Sequence, residues 1–280
     1  MTSATGVCDE PSLIARAAML ISDSVTVTKR NVIKIRRVPD VLIFSTLSPI
    51  MFVLLFAYIF GSAIKVTGTS YREFLIAGIF AQTAVFGATF TGSSLAEDMQ
   101  KGIIDRFRSL PMAPAAVLIG RTVADVVINV VSLVVMSITG LLIGWRIRGS
   151  FLDGVLGYVL LLLFAYAVSW MMAVVGLLVR APEVFNNASF MVIFPLTFIA
   201  NTFVPSAQLP TPLKIFADWN PVSAVTQAIR DLFGNTSSLT PPPDVWSMRH
   251  PVLTTLIWVV VLLVVFVPLS LRQFERTVSR

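Results

Sequence analysis

Six uncharged, continuously apolar windows of 20 or more residues constrain this chain more than any other feature. A helix rises about 1.5 Å per residue, so about 20 residues cross a hydrocarbon layer of about 30 Å. Because lipid offers the backbone no hydrogen bonds, each window is expected to be a helix. A β-barrel would need short segments of alternating polarity instead. The windows are Val41–Ile64, Phe74–Ala96, Val126–Trp145, Gly154–Val179, Val184–Leu213 and Pro251–Leu271.

The sequence therefore predicts an all-α polytopic membrane protein with six transmembrane helices in a single domain, residues 1–280. Apolar residues make up 56% of the chain and charged residues 13%, whereas about 25% of a soluble domain is charged. Six spans and their loops leave no length for a second soluble domain. The predicted spans cover residues 41–62, 74–96, 121–145, 154–179, 184–204 and 251–271.

The positive charge of the chain is unevenly distributed along these spans. The net charge is +6, and with a cytoplasmic N-terminus 14 Lys and Arg fall in inner segments and 7 in outer ones. This bias predicts that both termini are cytoplasmic. It favours topology and contact with anionic lipid over nucleic-acid binding as the reason for the charge. The first 40 residues are polar or amphipathic, so we expect no cleavable signal peptide.

Residues 11–38 form an amphipathic segment before the first span. Their apolar side chains recur at helical spacing and end in a basic cluster, which predicts a helix lying in the inner membrane interface. An ordinary juxtamembrane anchor is the plainer interpretation. Pro39 is expected to end this helix.

The outer segment, residues 205–250, is the longest predicted outer connection and holds seven prolines. We expect part of it to be a helix at the outer interface or re-entering the membrane, a depth that suits Trp219. A plain structural loop is the alternative. Its apolar side chains at a spacing of three are Leu213, Phe216, Trp219 and Val222.

The chain lacks the residues of the common catalytic and metal sites. Cys8 is the only cysteine and His250 the only histidine, so neither a disulfide within the chain nor a Cys/His metal cluster is expected. The phosphate-binding pattern needs a Gly-Lys step, which the sequence does not contain. We therefore expect that the chain itself is not an enzyme and binds neither metal nor cofactor.

A few polar residues lie within the predicted spans, where polar groups are costly and often functional. Asp125 follows Arg121 by four residues, one turn away on the same helix face. This pair predicts either a gate or proton site, or a satisfied ion pair at the inner interface. Gln82, Asn129 and Asn201 are candidates to line a path through the membrane, or to form hydrogen bonds between helices.

Two sequence blocks resemble the permeases of type-two ABC exporters, most closely the daunorubicin/doxorubicin-resistance branch. The resemblance covers nearly the whole chain in topology and these two blocks in motif. The first is Glu97 followed by Lys101-Gly102-Ile103-Ile104-Asp105-Arg106-Phe107-Arg108-Ser109-Leu110-Pro111-Met112. The second comprises Phe194-Pro195-Leu196, Asn201-Thr202-Phe203-Val204-Pro205, Leu209-Pro210, Asn220-Pro221-Val222-Ser223 and Ala228-Ile229-Arg230-Asp231-Leu232. One departure is Pro114, where many relatives carry arginine.

The resemblance implies a permease subunit that pairs with a separate ATP-binding cassette subunit, on which ATP and Mg²⁺ are bound. It also implies a second permease copy, identical or not, and a multi-pass position in the prokaryotic plasma membrane. The loop 97–114 would be the coupling helix, and Phe203 with the outer segment would shape the exit. The implied coupling residues are Gly102, Ile103, Asp105, Arg106, Phe107, Arg108, Leu110 and Pro111.

The substrate implied by the resemblance is an amphiphilic drug, antibiotic or lipid that is moved out of the cell. Three other functions remain open. A stand-alone secondary carrier or channel would need coupling charges within the spans, which are sparse. A membrane enzyme would need a cluster of carboxylates or histidine. A non-transporting partner subunit of a larger assembly would need neither.

Overall fold

The computed structural model describes residues 13–37, 39–60, 70–104, 114–179, 181–236 and 244–278, and every regular element in these ranges is helical. The helices are α1 (Leu13–Arg37), α2 (Pro39–Leu55), α3 (Tyr71–Gly87), α4 (Thr89–Gln100), α5 (Pro114–Leu142), α6 (Phe151–Leu178), α7 (Pro182–Phe198), α8 (Thr211–Trp219), α9 (Pro221–Leu232), α10 (Trp246–Arg249) and α11 (Pro251–Val278). Short helical turns also occur at Phe56–Phe60 (π) and Ser206–Gln208 (3₁₀).

Four helical stretches are long and apolar enough to cross a membrane: Tyr71–Gln100, Ala115–Leu142, Phe151–Leu178 and Pro251–Arg276. This confirms an all-helical polytopic membrane protein. The first and fifth predicted spans coincide with α2 and α7, which have 17 residues each and an internal proline. The number of six spans therefore stays a prediction.

Helix α6 lies at the centre of the bundle, between α4 and α11. Close approach of α4 and α6 depends on two glycines. A Cβ on Gly176 would lie 2.7 Å from the Cα of Gly92, and a Cβ on Gly92 would collide with the ring of Phe185. The two backbones are therefore in direct contact, which small residues permit in membrane helices.

Helix α1 packs along the first half of α5. Val27 is buried against Gly120, where a Cβ would lie 2.7 Å from the Cβ of Val27. The hydroxyl of Thr28 donates to the carbonyl of Gly120 at 3.2 Å. The opposite face of α1 exposes Ile21 and Val25, so α1 has one face on the protein and another apolar face outward.

Residues 199–236 and 244–250, which we call the cap, lie at the end of the bundle where α3 and α11 begin. The predicted run Leu213, Phe216, Trp219, Val222 does not form one helix there. Asn220 ends α8 and caps α9, its side chain accepting from the backbone N–H of Val222 at 2.8 Å. Pro221 then occupies the first turn of α9, a position that suits its missing N–H. Phe216 and Trp219 stay exposed whereas Val222 is buried.

Candidate functional site

A cavity of about 370 Å³ lies between α2, α3, α4, α5 and α7. Six of its 13 described lining residues are phenylalanines. Three of them come from α7, where Phe190, Phe194 and Phe198 are spaced by four residues and their ring centroids are 5.1 and 4.2 Å apart. The cavity can therefore hold a flat apolar group against stacked rings. Its lining is Pro49, Phe52, Ile79, Gln82, Thr83, Phe86, Gly87, Thr89, Phe90, Ser132, Phe190, Phe194 and Phe198.

Among the described residues, the cavity lining also includes four uncharged polar side chains. They are Gln82 and Thr83 of α3, Thr89 of α4 and Ser132 of α5, and of these Gln82, Thr83 and Ser132 are buried. The hydroxyl of Thr83 has no hydrogen-bond partner in the described chain. Buried polar groups are normally paired, so this hydroxyl can form a hydrogen bond with a bound molecule or with water.

The predicted path residue Phe203 lies at one end of the row of rings. Its ring stacks on Phe56 at 4.7 Å and lies 5.1 Å from Phe198. The predicted residue Asn201 is buried apart from the cavity wall. Its backbone N–H donates to Ser223 at 2.8 Å, and its side chain donates to Gln227 at 3.3 Å. Asn201 therefore holds the end of α7 to α9.

The predicted second span is two helices with a break at Ala88, next to the cavity. The hydroxyl of Thr89 donates to the carbonyl of Phe86 at 2.7 Å. A Cβ on Gly87 would lie 2.3 Å from the side-chain oxygen of Asn129, so any larger residue here would require the Asn129 side chain to move. Because Phe86, Gly87 and Thr89 line the cavity, a molecule inside it would touch the junction of α3 and α4.

The spacing of four residues predicted that Arg121 would pair with Asp125, and this prediction is wrong. Arg121 instead bonds the carboxylate of Asp98 on α4, which also lies 3.9 Å from Arg30 of α1. Asp125 accepts a hydrogen bond from the hydroxyl of Thr91. Both pairings join α5 to α4, because the polar groups of α4 face α5 at this depth. Arg121 and Asp125 therefore each bond a residue of α4 and not each other.

Asp125 is buried, and the cavity lining does not include it. Asn129 donates to the backbone carbonyl of Asp125 at 3.1 Å. Of these predicted path residues, Gln82 lines the cavity. Asp125 and Asn129 instead belong to a group of buried polar residues between α4 and α5 that also includes Asp98. Asp98 itself was not selected from the sequence.

Only part of the predicted coupling loop lies within the described residues. Gly102 has a φ of 64°, a left-handed conformation that glycine adopts without strain. Ile103 is partly buried, and Ile104 packs with Trp170 and Phe274 in a core cluster. The remaining predicted residues lie outside the described chain: Asp105, Arg106, Phe107, Arg108, Leu110 and Pro111.

In the cap, Arg230 is buried, and no carboxylate of the described residues bonds to it. Its guanidinium lies 3.6 Å from the ring centroid of Phe74 and donates to the backbone carbonyls of Phe74 and Thr202, at 3.1 and 3.3 Å. Burial lowers its pKa to about 9, an effect that the charge of Asp231 opposes. It is still cationic at pH 7, and it ties α9 to α3 and to the turn after α7.

Comparison with known proteins now identifies the chain. The family model described as ABC-2 type transporter matches residues 24–233. The chain belongs to this family. The permease is 35% identical over 220 residues to the daunorubicin resistance ABC transporter permease protein DrrB1 of Streptomyces coeruleorubidus, covering 79% of this chain and 78% of that one. It is 24% identical over 215 residues to a Mycobacterium tuberculosis protein named "Probable doxorubicin resistance ABC transporter permease protein DrrC", covering 76% and 78%.

The aromatic wall was the main feature of the permease that sequence reasoning missed. Its signal was present, because Phe190, Phe194 and Phe198 recur every four residues. In an apolar span this spacing is equally typical of ordinary helix packing. In the structure Phe190 and Phe194 are 54% and 42% exposed, so they are not part of the buried core, and both line the cavity.

Proposed function

We propose that this permease moves an amphiphilic molecule out of the cell, driven by ATP hydrolysis on a separate ATP-binding cassette subunit that holds ATP and Mg²⁺. The cavity is the observation that carries the proposal. Its described lining combines six phenylalanine rings with four uncharged polar side chains. This combination suits a molecule with an apolar body and a hydrogen-bonding edge. Membership of the ABC-2 family supports an ATP-binding cassette subunit as the partner. The names of the relatives support a drug or antibiotic as the substrate.

The proposed topology has six spans, with α2 and α7 as the first and fifth and with both termini in the cytoplasm of a prokaryotic cell. The bias of Lys and Arg supports this orientation. It places the cap outside and the Asp98 cluster at the inner end of the bundle. Asn201 and Phe203 are then on the exit side of the cavity, Gln82 lies in its wall, and Asn129 and Asp125 lie towards the inner side.

A second permease copy is proposed to cover α7. The helix buries a single stripe with a spacing of four, formed by Phe185, Ser189, Ile193 and Thr197. Met191 on another face is 80% exposed. The phenylalanines that α7 contributes to the cavity include the exposed Phe190 and Phe194. A partner permease packed against α7 would therefore complete the enclosure of a substrate. The partner can be an identical or a related chain.

Coupling is proposed to run through α4 to the loop 97–114. This helix starts at the cavity with Thr89 and Phe90 and ends at Gln100, so its last turn already belongs to the predicted loop 97–114. Asp98 and Thr91 fix it to α5. A change in the cavity that reorients α4 would therefore reach the ATP-binding subunit through Gly102, Ile103 and the six coupling residues beyond them.

Replacing Phe194 with alanine tests the role of the cavity. An aromatic pair contributes about 0.5–1.5 kcal/mol beyond its buried area, so we expect the amphiphile concentration for half-maximal ATPase stimulation to rise about tenfold. ATP hydrolysis without substrate should stay near the wild-type rate. The control is Phe151→Ala, the same substitution at an exposed position of α6 that is not in the cavity lining. Equal shifts for both variants would refute the assignment.

Replacing Phe107 or Arg106 with alanine tests the coupling loop. Apolar anchors and rim charges dominate many protein interfaces, so each variant should bind the ATP-binding subunit more weakly, by about tenfold, while inserting normally. Copurification of that subunit from solubilised membranes measures this. Lys101→Ala is the control, because Lys101 is exposed and pairs with Glu97 within the chain. Full association and full stimulation in both test variants would contradict this role.

A stand-alone secondary carrier is the second candidate function. None of the described residues that line the cavity is charged, and carriers driven by ions or protons depend on such groups. The buried Asp125 is the observation that favours this alternative. Flux driven by an ion gradient in liposomes that contain only this chain would establish it. A non-transporting partner subunit would show neither that flux nor stimulation of an ATPase.

A further inference from the structure

A second groove, of about 330 Å³, lies where α9 meets the start of α11. It is lined by two polar and four apolar residues, and none of them lines the phenylalanine cavity. Among the described lining residues, the titratable side chains are one carboxyl and one imidazole. The residues are Asp231, His250, Pro251, Val252, Leu253 and Leu256.

The carboxylate of Asp231 is held in position with one oxygen free to accept. Within the described chain it accepts from Gln227 at 3.0 Å and from the hydroxyl of Thr236, and both bonds go to Oδ1. Those two partners are neutral, and the described residues show no ion pair to Asp231, although the charge of the neighbouring Arg230 also acts on it. An ammonium group that reached Oδ2 would form a charge-assisted hydrogen bond, the stronger class of such bonds.

His250 gives the same groove a hydrogen-bond donor. It immediately precedes α11 and its ring lies beside Trp246, with 5.7 Å between centroids. A neutral imidazole still donates from one of its two nitrogens, so it can serve a phosphate oxygen. The groove therefore offers an acceptor for a cation and a donor for an anion, which complements a zwitterion.

An exposed apolar stripe leads from the groove along α11. Leu253 and Leu256 line the groove and are followed at helical spacing by Val260 and Val264, which are 57% and 67% exposed. Because α11 belongs to a stretch long and apolar enough to span the membrane, this stripe faces a hydrocarbon environment. An acyl chain extending from the groove would lie on it.

We infer that this groove binds a phospholipid with a zwitterionic primary-ammonium headgroup, phosphatidylethanolamine, from the leaflet that contacts the cap. The ammonium meets Asp231, the phosphate meets His250, and one acyl chain covers Leu253 and Leu256. A phosphatidylglycerol headgroup brings no cation to Asp231. Phosphatidylcholine brings a cation without N–H groups, so it cannot form the hydrogen bond.

The test measures lipid retention on the purified full-length chain by native mass spectrometry. The protein is incubated with an equimolar mixture of phosphatidylethanolamine, phosphatidylglycerol and phosphatidylcholine with identical acyl chains. We expect wild type to retain phosphatidylethanolamine preferentially. Asp231→Asn keeps the shape and the Oδ1 bonds but removes the charge, and it should lower that retention about fivefold. Leu253→Trp should lower it too by filling the groove.

The matched control is Asp244→Asn, which removes an exposed cap carboxylate that pairs with Arg249. It should leave retention unchanged. Equal retention of all three lipids by wild type, or unchanged retention in Asp231→Asn, would overturn the inference. The readout needs neither ATP nor a partner, so it can fail or succeed independently of the proposed transport function.

Discussion

Replacing Asp98 with asparagine is expected to destabilise this permease strongly. The carboxylate of Asp98 is buried against the guanidinium of Arg121, and the side chains are 4% and 6% exposed. Removing one charge leaves the other buried without compensation, which typically costs about 3–5 kcal/mol. We expect a marked fall in the melting temperature of the detergent-solubilised protein, measured by the loss of its monodisperse chromatographic peak on heating.

The double variant Asp98→Asn/Arg121→Gln provides the decisive comparison. It removes both charges, so no unpaired ion remains, and it should recover most of the stability lost in the single variant. Arg30→Gln is the control, because Arg30 is 48% exposed and lies 3.9 Å from Asp98, and exposed pairs contribute little. A double variant no more stable than the single one would contradict this account of the cluster.

Replacing Gly176 with leucine is expected to prevent folding of the bundle. A Cβ at this position would lie 2.4 Å from the carbonyl oxygen of Gly92 and 2.7 Å from its Cα. Backbone atoms cannot rotate away as a side chain does, so α4 and α6 must separate. Enlarging a closely packed contact costs about 1–3 kcal/mol and more when the backbone must shift. We expect almost no monodisperse protein after extraction.

Gly154→Ala is the matched control for this glycine. It lies near the start of the same helix, α6, and its Cβ would meet Ile147 at 3.6 Å, an ordinary contact. Its yield should equal that of the wild type, because alanine also favours the helix. Wild-type yield and melting temperature for Gly176→Leu would show that α4 and α6 do not approach as closely as described.

The helices of this permease follow largely from local sequence properties. The fourth predicted span, residues 154–179, corresponds to α6, Phe151–Leu178, because a long uncharged run in lipid has no alternative to helix. Ends and breaks were harder to predict. The predicted fifth span, residues 184–204, overlaps α7, which begins at Pro182 and ends at Phe198. The break at Ala88 depends on how Gly87 fits against Asn129, a contact that only the packed bundle reveals.

The candidate site depends more on contacts between distant residues. Arg121 and Asp125 have the spacing of an intrahelical pair, yet Arg121 bonds Asp98, 23 residues earlier. Spacing gives the residues that can meet, and packing decides which of them do. Arg230 contacts the carbonyl of Phe74 across 156 residues. No local pattern predicts such a contact, which is why the structure of the cap could not be derived from the sequence.

The most direct test of the account is to purify this chain gently from its native membrane and identify what accompanies it. The account predicts an ATP-binding cassette subunit in roughly stoichiometric amount, with ATP hydrolysis that rises when aromatic amphiphiles are added. A chain that elutes without such a subunit, and whose eluate hydrolyses no ATP with or without amphiphile, would contradict the proposed role as an exporter permease.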